Sequence, residues 1–194
     1  PISELKFGEG YWALTINPTG EALKVPLNPT SSYSRSLKVG WNMIGGVSEP
    51  ADFTDPQDDP DRSIANYSLF EWNPEGQGYQ ATTRIEEGKG YWVLCWNDCQ
   101  LSVGGSDSPS ASPQRLSQPE GLITLQLKEQ QRLEIGWADN PTGMDRPLPP
   151  SSPQAGDLEA YLVGSKYRWS RQIQEVSDSN KEWRLRLKSK QTTV

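Results

Sequence analysis

The sequence predicts an all-β protein, arranged as a β-sandwich or a small barrel. Through the first hundred residues, turn residues recur about every 8 to 12 positions, as expected for short strands joined by tight loops. The turns include GEG, NPTG, NPTSS, NPEGQG and EEGKG, and runs rich in aromatic and β-branched residues lie between them. Eight tryptophans and seven tyrosines also argue against disorder, because disordered segments contain few aromatic residues.

The candidate strands form two groups on either side of residues 105–120. This segment is rich in serine and proline and contains no large aromatic side chain, so we interpret it as a linker. The first domain is then predicted at residues 1–104 and the second at 121–194. With roughly 75 residues, the second domain is small for an independent fold. We therefore expect it either to pack against the first domain or to be incomplete.

The predicted strands follow the chain in order between the turns. In the first domain they are YWALTI, EALKV, SLKVGWNMIGGV, YSLFEW and YWVLCW. In the second domain they are ITLQLKEQQRLEIGW, LEAYLVG, YRWSRQIQEV and EWRLRLKS. A proline-rich loop, ADNPTGMDRPLPPSSPQAGD, separates the first of these from the next. Helical periodicity is missing throughout, apart from a weak pattern in IQEVSDSNKEW.

A GxGYW motif occurs twice in the first domain. Residues 8–14 (GEGYWAL) and 88–94 (GKGYWVL) are identical at five of their seven positions. Each motif leads into a turn, NPTG or WND, and then into a second strand-like run, EALKV or QLSV. Two β-hairpins of the same design are therefore predicted. Their glycines are expected to supply a positive φ or a close approach of the backbone.

Five tryptophans are predicted to form the core, because the chain contains only three phenylalanines and two methionines. They are Trp12, Trp41, Trp92, Trp137 and Trp183. Three other aromatic residues lie in or near predicted turns and are candidates for an exposed ligand-binding surface: Trp72, Tyr79 and Trp96. Exposed aromatic rings with polar groups nearby suit a sugar ligand. This set therefore predicts a carbohydrate-binding surface as the alternative to a purely structural role.

Cys95 and Cys99 are the only cysteines, and they flank the three residues Trp-Asn-Asp. If these residues close a hairpin, the cysteines oppose each other with Cα atoms about 4.5 Å apart, a distance that a disulfide accepts. The favoured hypothesis is a Cys95–Cys99 disulfide, which predicts an oxidising compartment. Two reduced thiols, or half of a metal site, are the alternatives. A four-ligand zinc site is not available within one chain, because histidine and further cysteines are absent.

The composition argues against catalysis. Without histidine, the commonest general base is missing, and so are the Ser-His-Asp and Cys-His nucleophile systems. The P-loop and dinucleotide-binding fingerprints are missing too. Glycoside hydrolysis needs only two carboxylates, but no pair stands out among the 25 acidic residues. We predict a non-catalytic protein, with part of a glycoside-active enzyme as the remaining alternative.

An acidic loop, DFTDPQDDPD, is the candidate metal site. Asp55, Asp58, Asp59 and Asp61 would supply the oxygen ligands that Ca²⁺ prefers. The loop lacks the spacing of an EF-hand, and solvated acidic loops of this kind are common. Calcium is the only cofactor that the sequence suggests.

The charge distribution limits the classes of partner that the sequence predicts. The formal net charge is −6, with −7 over residues 1–104 and +1 over residues 105–194. No basic footprint for nucleic acid is visible, and no apolar run approaches the roughly 20 residues of a membrane span. The chain begins at Pro1 without an initiator methionine, so we interpret it as a mature form or an excised fragment.

Two stretches resemble modules of secreted or cell-surface bacterial proteins. Those modules carry a GWNLIG strand, a strand with tyrosine and a GxGYW strand; the matching residues here are Gly40, Trp41, Asn42, Ile44, Gly45, Tyr79, Gly88, Gly90, Tyr91 and Trp92. The second stretch is similar to a proline-rich β segment that often follows in proteins exported by type IX or related routes. Its matching residues are Leu133, Gly136, Ala138, Gly143, Asp145, Pro147, Pro149, Pro150, Tyr161, Trp183 and Leu185.

The residues and the resemblance together predict a non-catalytic structural or interaction module. The resemblance implies an exported bacterial surface or extracellular protein. Its expected partners are other domains of the same polypeptide or surface proteins, with glycans as the alternative ligand.

Overall fold

The computed structural model describes residues 5–12, 30–75, 78–105, 118–128, 131–141, 144–151, 158–177 and 182–189. The regular secondary structure in these ranges is β-strand throughout, so the predicted all-β class is confirmed. We refer to residues 5–105 as the N-terminal part and to residues 118–189 as the C-terminal part. Among the described strands, none pairs with a strand of the other part. Most of the predicted linker, residues 106–117, lies outside the described residues.

The strands described in the N-terminal part are β1 (Ser32–Leu37), β2 (Gly40–Gly45), β3 (Ala51–Asp52), β4 (Gln57–Asp59), β5 (Phe70–Asn73), β6 (Gly78–Ala81), β7 (Arg84–Ile85), β8 (Gly90–Cys95) and β9 (Cys99–Gly104). They form two larger sheets with the strand orders β2-β8-β5-β6 and β1-β9-β4, and β3 pairs with β7. All of these pairs are antiparallel.

The two larger sheets are joined by one bent antiparallel ribbon. β1 pairs with β9 in one sheet, and their continuations β2 and β8 pair in the other. At the bend, two residues, Lys38 and Val39, face the three residues 96–98, and such an extra residue bends a strand pair. Asp98 holds the bend, because its carboxylate accepts hydrogen bonds from Val39 N (2.8 Å) and from Lys38 Nζ (2.7 Å).

The prediction of a β-hairpin at residues 95–103 is wrong. β8 and β9 lie in different sheets, so the residues between them form a corner rather than a hairpin turn. Cys95 pairs with Gly40 and Cys99 pairs with Leu37, instead of pairing with each other. The return strand predicted after the first GxGYW motif, EALKV, lies outside the described residues.

The core of the N-terminal part lies between the two larger sheets. Side chains alternate along β8, so that Tyr91, Val93 and Cys95 enter the core while Trp92 points to the opposite face. Apart from Phe53 and Cys99, the other core residues are aliphatic: Leu37, Ile44, Val47, Ile64, Leu69, Ile85, Leu101 and Val103. This arrangement of two sheets around one core is a β-sandwich.

The predicted tryptophan core is also wrong. All five of these tryptophans, Trp12, Trp41, Trp92, Trp137 and Trp183, are only partly buried. In a GYW sequence, strand alternation sends one of the two aromatic residues into the core and the other out of it. In β8 the residue inside is the tyrosine.

The two GxGYW motifs begin with the same turn. Gly8 and Gly88 both have a φ of 73°, the left-handed region that favours glycine. In both copies the tyrosine hydroxyl accepts a hydrogen bond from the amide five residues earlier in the chain. These bonds join Lys6 N to Tyr11 (2.8 Å) and Glu86 N to Tyr91 (2.7 Å). The predicted duplication therefore holds for the turn and this hydrogen bond, but the described residues 10–12 are not in a strand, whereas Gly90–Cys95 is β8.

The strands described in the C-terminal part are β10 (Gly121–Lys128), β11 (Gln131–Ala138), β12 (Arg146–Leu148), β13 (Leu158–Val163), β14 (Arg168–Glu175) and β15 (Leu185–Ser189). They form one sheet with the order β10-β11-β14-β13-β15, and β12 also pairs with β14. β11 and β14 are parallel, whereas the other pairs are antiparallel.

The C-terminal part contacts the N-terminal part through aromatic rings. Trp96, at the corner between β8 and β9, packs against Tyr167 (5.7 Å between ring centroids) and Trp169 (6.4 Å). The guanidinium group of Arg146 lies over the ring of Tyr67. Of the two expectations for this small unit, the contacts match packing against the first domain.

Candidate functional site

One face of the sheet β2-β8-β5-β6 is covered with aromatic side chains. Cross-strand pairing places Trp92 next to Phe70, and Trp72 next to Tyr79. Trp41 packs on the same face, with its ring centroid 6.4 Å from that of Trp92. Because residues paired across strands point to the same side of a sheet, these five residues form one surface, which we call the aromatic face. It is the face opposite the core.

The N-terminal segment crosses this face. Glu9 forms an antiparallel bridge with Ile44 at the end of β2. A Cβ atom on Gly10 would lie 2.6 Å from the carbonyl oxygen of Ile44, so no side chain fits there. A Cβ atom on Gly90 would lie 3.6 Å from the Cα atom of Gly10, which shows how closely the two motifs approach. In the first motif, the second glycine is therefore needed for contact between backbones, whereas a side chain at Gly90 would make only an ordinary van der Waals contact.

Trp12 is the side chain that this crossing delivers to the aromatic face. Its ring centroid lies 5.3 Å from that of Trp72, with an interplanar angle of 69°, and 6.3 Å from that of Tyr79, with an angle of 72°. The ring centroids of Trp72 and Tyr79 are 5.3 Å apart, and their planes meet at 76°. All three contacts are edge-to-face, an arrangement that aromatic pairs favour because of their ring quadrupoles.

A groove of about 230 Å³ lies between the crossing segment and the sheet. The rings of Trp12, Phe70, Trp72, Tyr79 and Trp92 line it. Inside the groove, Trp92 Nε1 donates a hydrogen bond to the Tyr79 hydroxyl at 2.9 Å. The groove is therefore mostly apolar, with a phenol oxygen among its rings.

The charged groups beside the groove are paired. Lys89 Nζ lies 2.7 Å from Glu86 Oε2 and 2.9 Å from Glu71 Oε2. These hydrogen bonds, to Glu86 and then to Glu71, raise the pKa of Lys89 above its usual value. The bond to Lys89 in turn lowers the pKa of Glu86. At neutral pH the rim thus presents an ion-paired network of hydrogen-bonding groups.

The structure brings together two of the three predicted ligand-binding aromatics. Trp72 and Tyr79 lie in the groove, whereas Trp96 lies at the contact with the C-terminal part. Trp96 is 41% exposed, but its ring is stacked on Trp169 at 29° and is not part of the groove. Because Trp96 lies at the corner between β8 and β9, it is half exposed and contacts the sheet of the C-terminal part.

Sequence reasoning missed Trp12 and Trp92 as groove residues. The sequence predicts both in the core, together with Trp41, Trp137 and Trp183. The available signal was the alternation within GYW, because Tyr and Trp cannot both face the same side of a strand. Which of the two faces inward depends on the sheet that packs above, which the motif does not specify.

The four aspartates predicted to bind calcium have separate surroundings. Asp58 Oδ2 accepts a hydrogen bond from Ile64 N at 2.9 Å, and burial raises the pKa of this carboxyl group. Asp61 forms a 3.8 Å ion pair with Arg62, and Asp55 and Asp59 are exposed. Within the described ranges, no group of three or more acidic or cysteine side chains is placed to hold a metal ion. Calcium binding stays a prediction from sequence alone.

The predicted Cys95–Cys99 disulfide is not present. Both residues are free thiols with their sulfur atoms 3.9 Å apart, well beyond the roughly 2.05 Å of an S–S bond. The hypothesis assumed a hairpin that places the two residues opposite each other. Instead, each cysteine pairs within a different sheet, and both side chains enter the core.

We expect both thiols to react in denaturant and neither to react quickly in the native protein. Cys95 is fully buried and Cys99 is 6% exposed. Burial, with Cys99 nearby, raises the pKa of Cys95 to about 12, so little of the reactive thiolate forms at mildly alkaline pH. Iodoacetamide labelling with mass spectrometry measures both states. An unlabelled chain in denaturant, lighter by two hydrogens, would mean that the disulfide forms.

Comparison of the chain with protein-family models, with curated proteins and with solved structures finds no match. In the part of the chain that the structure describes, no helix has the length and apolar character needed to cross a bilayer.

Proposed function

We propose that this protein is a non-catalytic interaction module of an exported bacterial surface or extracellular protein, and that it binds its ligand in the aromatic groove. The observation that carries the proposal is the convergence of Trp12, Trp72, Tyr79 and Trp92 on one concave surface of about 230 Å³. Ligand sites are typically concave and mostly apolar, with a few polar groups that orient the ligand. The paired charges of Glu71 and Lys89 supply such groups at the rim.

The exported location rests on the resemblance of GWNMIG and GKGYW to modules of secreted and surface proteins. The reduced cysteine pair adds no support for an oxidising compartment. Other domains of the same polypeptide and neighbouring surface proteins are the expected partners of such a module.

A carbohydrate is the ligand class that the groove favours. Sugar rings have apolar C–H faces that pack on indole and phenol rings, and hydroxyl groups that bond to carboxylates and ammonium groups. The groove rings meet at 69° to 76° and offer no flat platform for a long chain. Its volume of about 230 Å³ is below the roughly 300–1,000 Å³ of sites for drug-sized ligands. A ligand of one or two sugar rings fits these dimensions.

Trp72→Ala is expected to weaken glycan binding about tenfold, because it removes one of the rings against which the sugar packs. A glycan array identifies the ligand, and isothermal titration calorimetry then measures the affinity of each variant. Trp96→Ala is the matched control, since it makes the same change at a half-exposed tryptophan outside the groove. It should bind as tightly as the wild type.

Two results would contradict this proposal. If the wild-type protein retains no glycan, or if both tryptophan variants lose binding equally, the groove is not a sugar site. If a bound glycan is cleaved on prolonged incubation, the protein is not a non-catalytic module.

A further inference from the structure

Three arginines meet around one carboxylate on the sheet of the C-terminal part. Arg171 of β14 pairs in register with Glu134 of β11 on one side and with Arg146 of β12 on the other. Glu134 is only 5% exposed and accepts hydrogen bonds from Arg171. Its other oxygen lies 2.6 Å from Nη2 of Arg132. This carboxylate is therefore paired with two guanidinium groups, and the third arginine, Arg146, forms no ion pair with it.

Arg146 has no anionic partner among the described residues. Its Nε atom is buried without a hydrogen-bond acceptor. Burial, and then the positive charge of Arg171, lowers the pKa of the Arg146 guanidinium. Glu134 opposes this shift, but its carboxylate is paired with the other two arginines, and a partly buried cation without an ion pair of its own is unfavourable. The positive groups of this cluster outnumber its single carboxylate by two, so the local potential favours an anion.

The ring of Tyr67, in the N-terminal part, stacks against the guanidinium group of Arg146. The guanidinium carbon of Arg146 lies 4.9 Å from the centre of the Tyr67 ring. Tyr67 itself has a φ of 55°, which is uncommon for a bulky side chain. An aromatic ring beneath a guanidinium group orients it and leaves its N–H edge available to a further acceptor.

We propose that Arg146 binds an oxyanion, the carboxylate or phosphate group of a small ligand, at the junction between the two parts. The planar guanidinium presents parallel N–H groups that match two oxygens of such a group. Arg132 and Arg171 strengthen the positive potential while they stay bound to Glu134. This site is separate from the aromatic groove and does not depend on the function proposed for it.

The probes are inorganic phosphate and acetate, each titrated into the full chain at constant ionic strength with chloride as the reference. Isothermal titration calorimetry and the melting temperature report binding, because a ligand of the native state raises its stability. The wild type is expected to show saturable binding of at least one probe. Phosphate binding alone would point to a phosphorylated ligand, and acetate binding alone to a carboxylate.

Substitutions of Arg146 separate binding from a structural role. Arg146→Lys keeps the charge but loses the planar fork, and is expected to weaken binding about tenfold. Arg146→Met is expected to abolish saturable binding while leaving the melting temperature in chloride unchanged or raised. Arg186→Gln, at an exposed arginine of the same sheet, is the matched control and should bind as the wild type.

Two outcomes would overturn the proposal. One is a wild-type chain that binds neither probe saturably, and Arg146→Met then shows by its melting temperature in chloride whether the arginine has a structural role. A lower melting temperature would mean that Arg146 only joins the two parts through Tyr67. The other is unchanged binding in Arg146→Met, which would place the anion elsewhere.

Discussion

Tyr91→Ala is expected to lower the free energy of unfolding by about 3–5 kcal/mol, as for other large-to-small substitutions of buried aromatic residues. The Tyr91 ring is 1% exposed and packs in the core between the two larger sheets. Its hydroxyl also accepts a 2.7 Å hydrogen bond from the backbone amide of Glu86, so truncation leaves that amide without its partner. Because domains have only about 5–15 kcal/mol of stability, much of this variant will be unfolded at moderate urea concentration. Urea denaturation monitored by tryptophan fluorescence measures the change.

Two companion substitutions divide this effect into its parts. Tyr91→Phe keeps the ring and removes the acceptor, which is expected to cost about 1–3 kcal/mol because the amide is left unpaired. Tyr11→Phe removes the same acceptor in the first motif, together with a 2.6 Å hydrogen bond that the partly exposed Tyr11 hydroxyl donates to Glu9 Oε2. Water then replaces the hydroxyl at both lost partners, and the cost should fall to about 0.5–1.5 kcal/mol.

Trp92→Ala tests which residue of the motif belongs to the core. The Trp92 ring is partly exposed on the aromatic face, so its removal should destabilise the protein less than Tyr91→Ala. A larger loss of stability in Trp92→Ala than in Tyr91→Ala would reverse the assignment of the two faces.

Gly104→Ala is expected to be comparably destabilising, by about 2–5 kcal/mol, from left-handed strain and overpacking together. Gly104 ends β9 with a φ of 75°. A Cβ atom there would lie 2.0 Å from the backbone oxygen of Ser31, which cannot move without disturbing the start of β1. Urea denaturation again measures the loss.

Gly88→Ala is the matched control for this variant. Its φ of 73° is nearly the same, but a Cβ atom would meet nothing within 4 Å. It should therefore cost only the roughly 1–2 kcal/mol of a left-handed alanine. Equal losses in the two variants would show that the contact with Ser31 relaxes freely and that conformational strain alone acts at both sites.

The features that the sequence predicted correctly depend on residues close together in the chain. Turn residues at short intervals, with alternating side chains between them, are enough to specify strands. The repeated GxGYW motif contains its own turn, a glycine with positive φ and a tyrosine that bonds to an amide five residues away. These local interactions do not require knowledge of the partner strand, so the all-β class and the repeat follow from the sequence itself.

The tertiary structure alone decided which strands pair and which face of each is buried. Cys95 and Cys99 are four residues apart, yet the bulge opposite Lys38 and Val39 turns their strands into different sheets. Alternation in GYW shows that Tyr and Trp point in opposite directions, but only the packing of a second sheet makes the tyrosine side the inner one. The groove likewise needs Trp12 and Trp72, sixty residues apart in sequence, to meet across the sheet. Pairing and burial depend on hydrogen bonds and contacts between distant segments, and a local pattern carries no information about which segments these are.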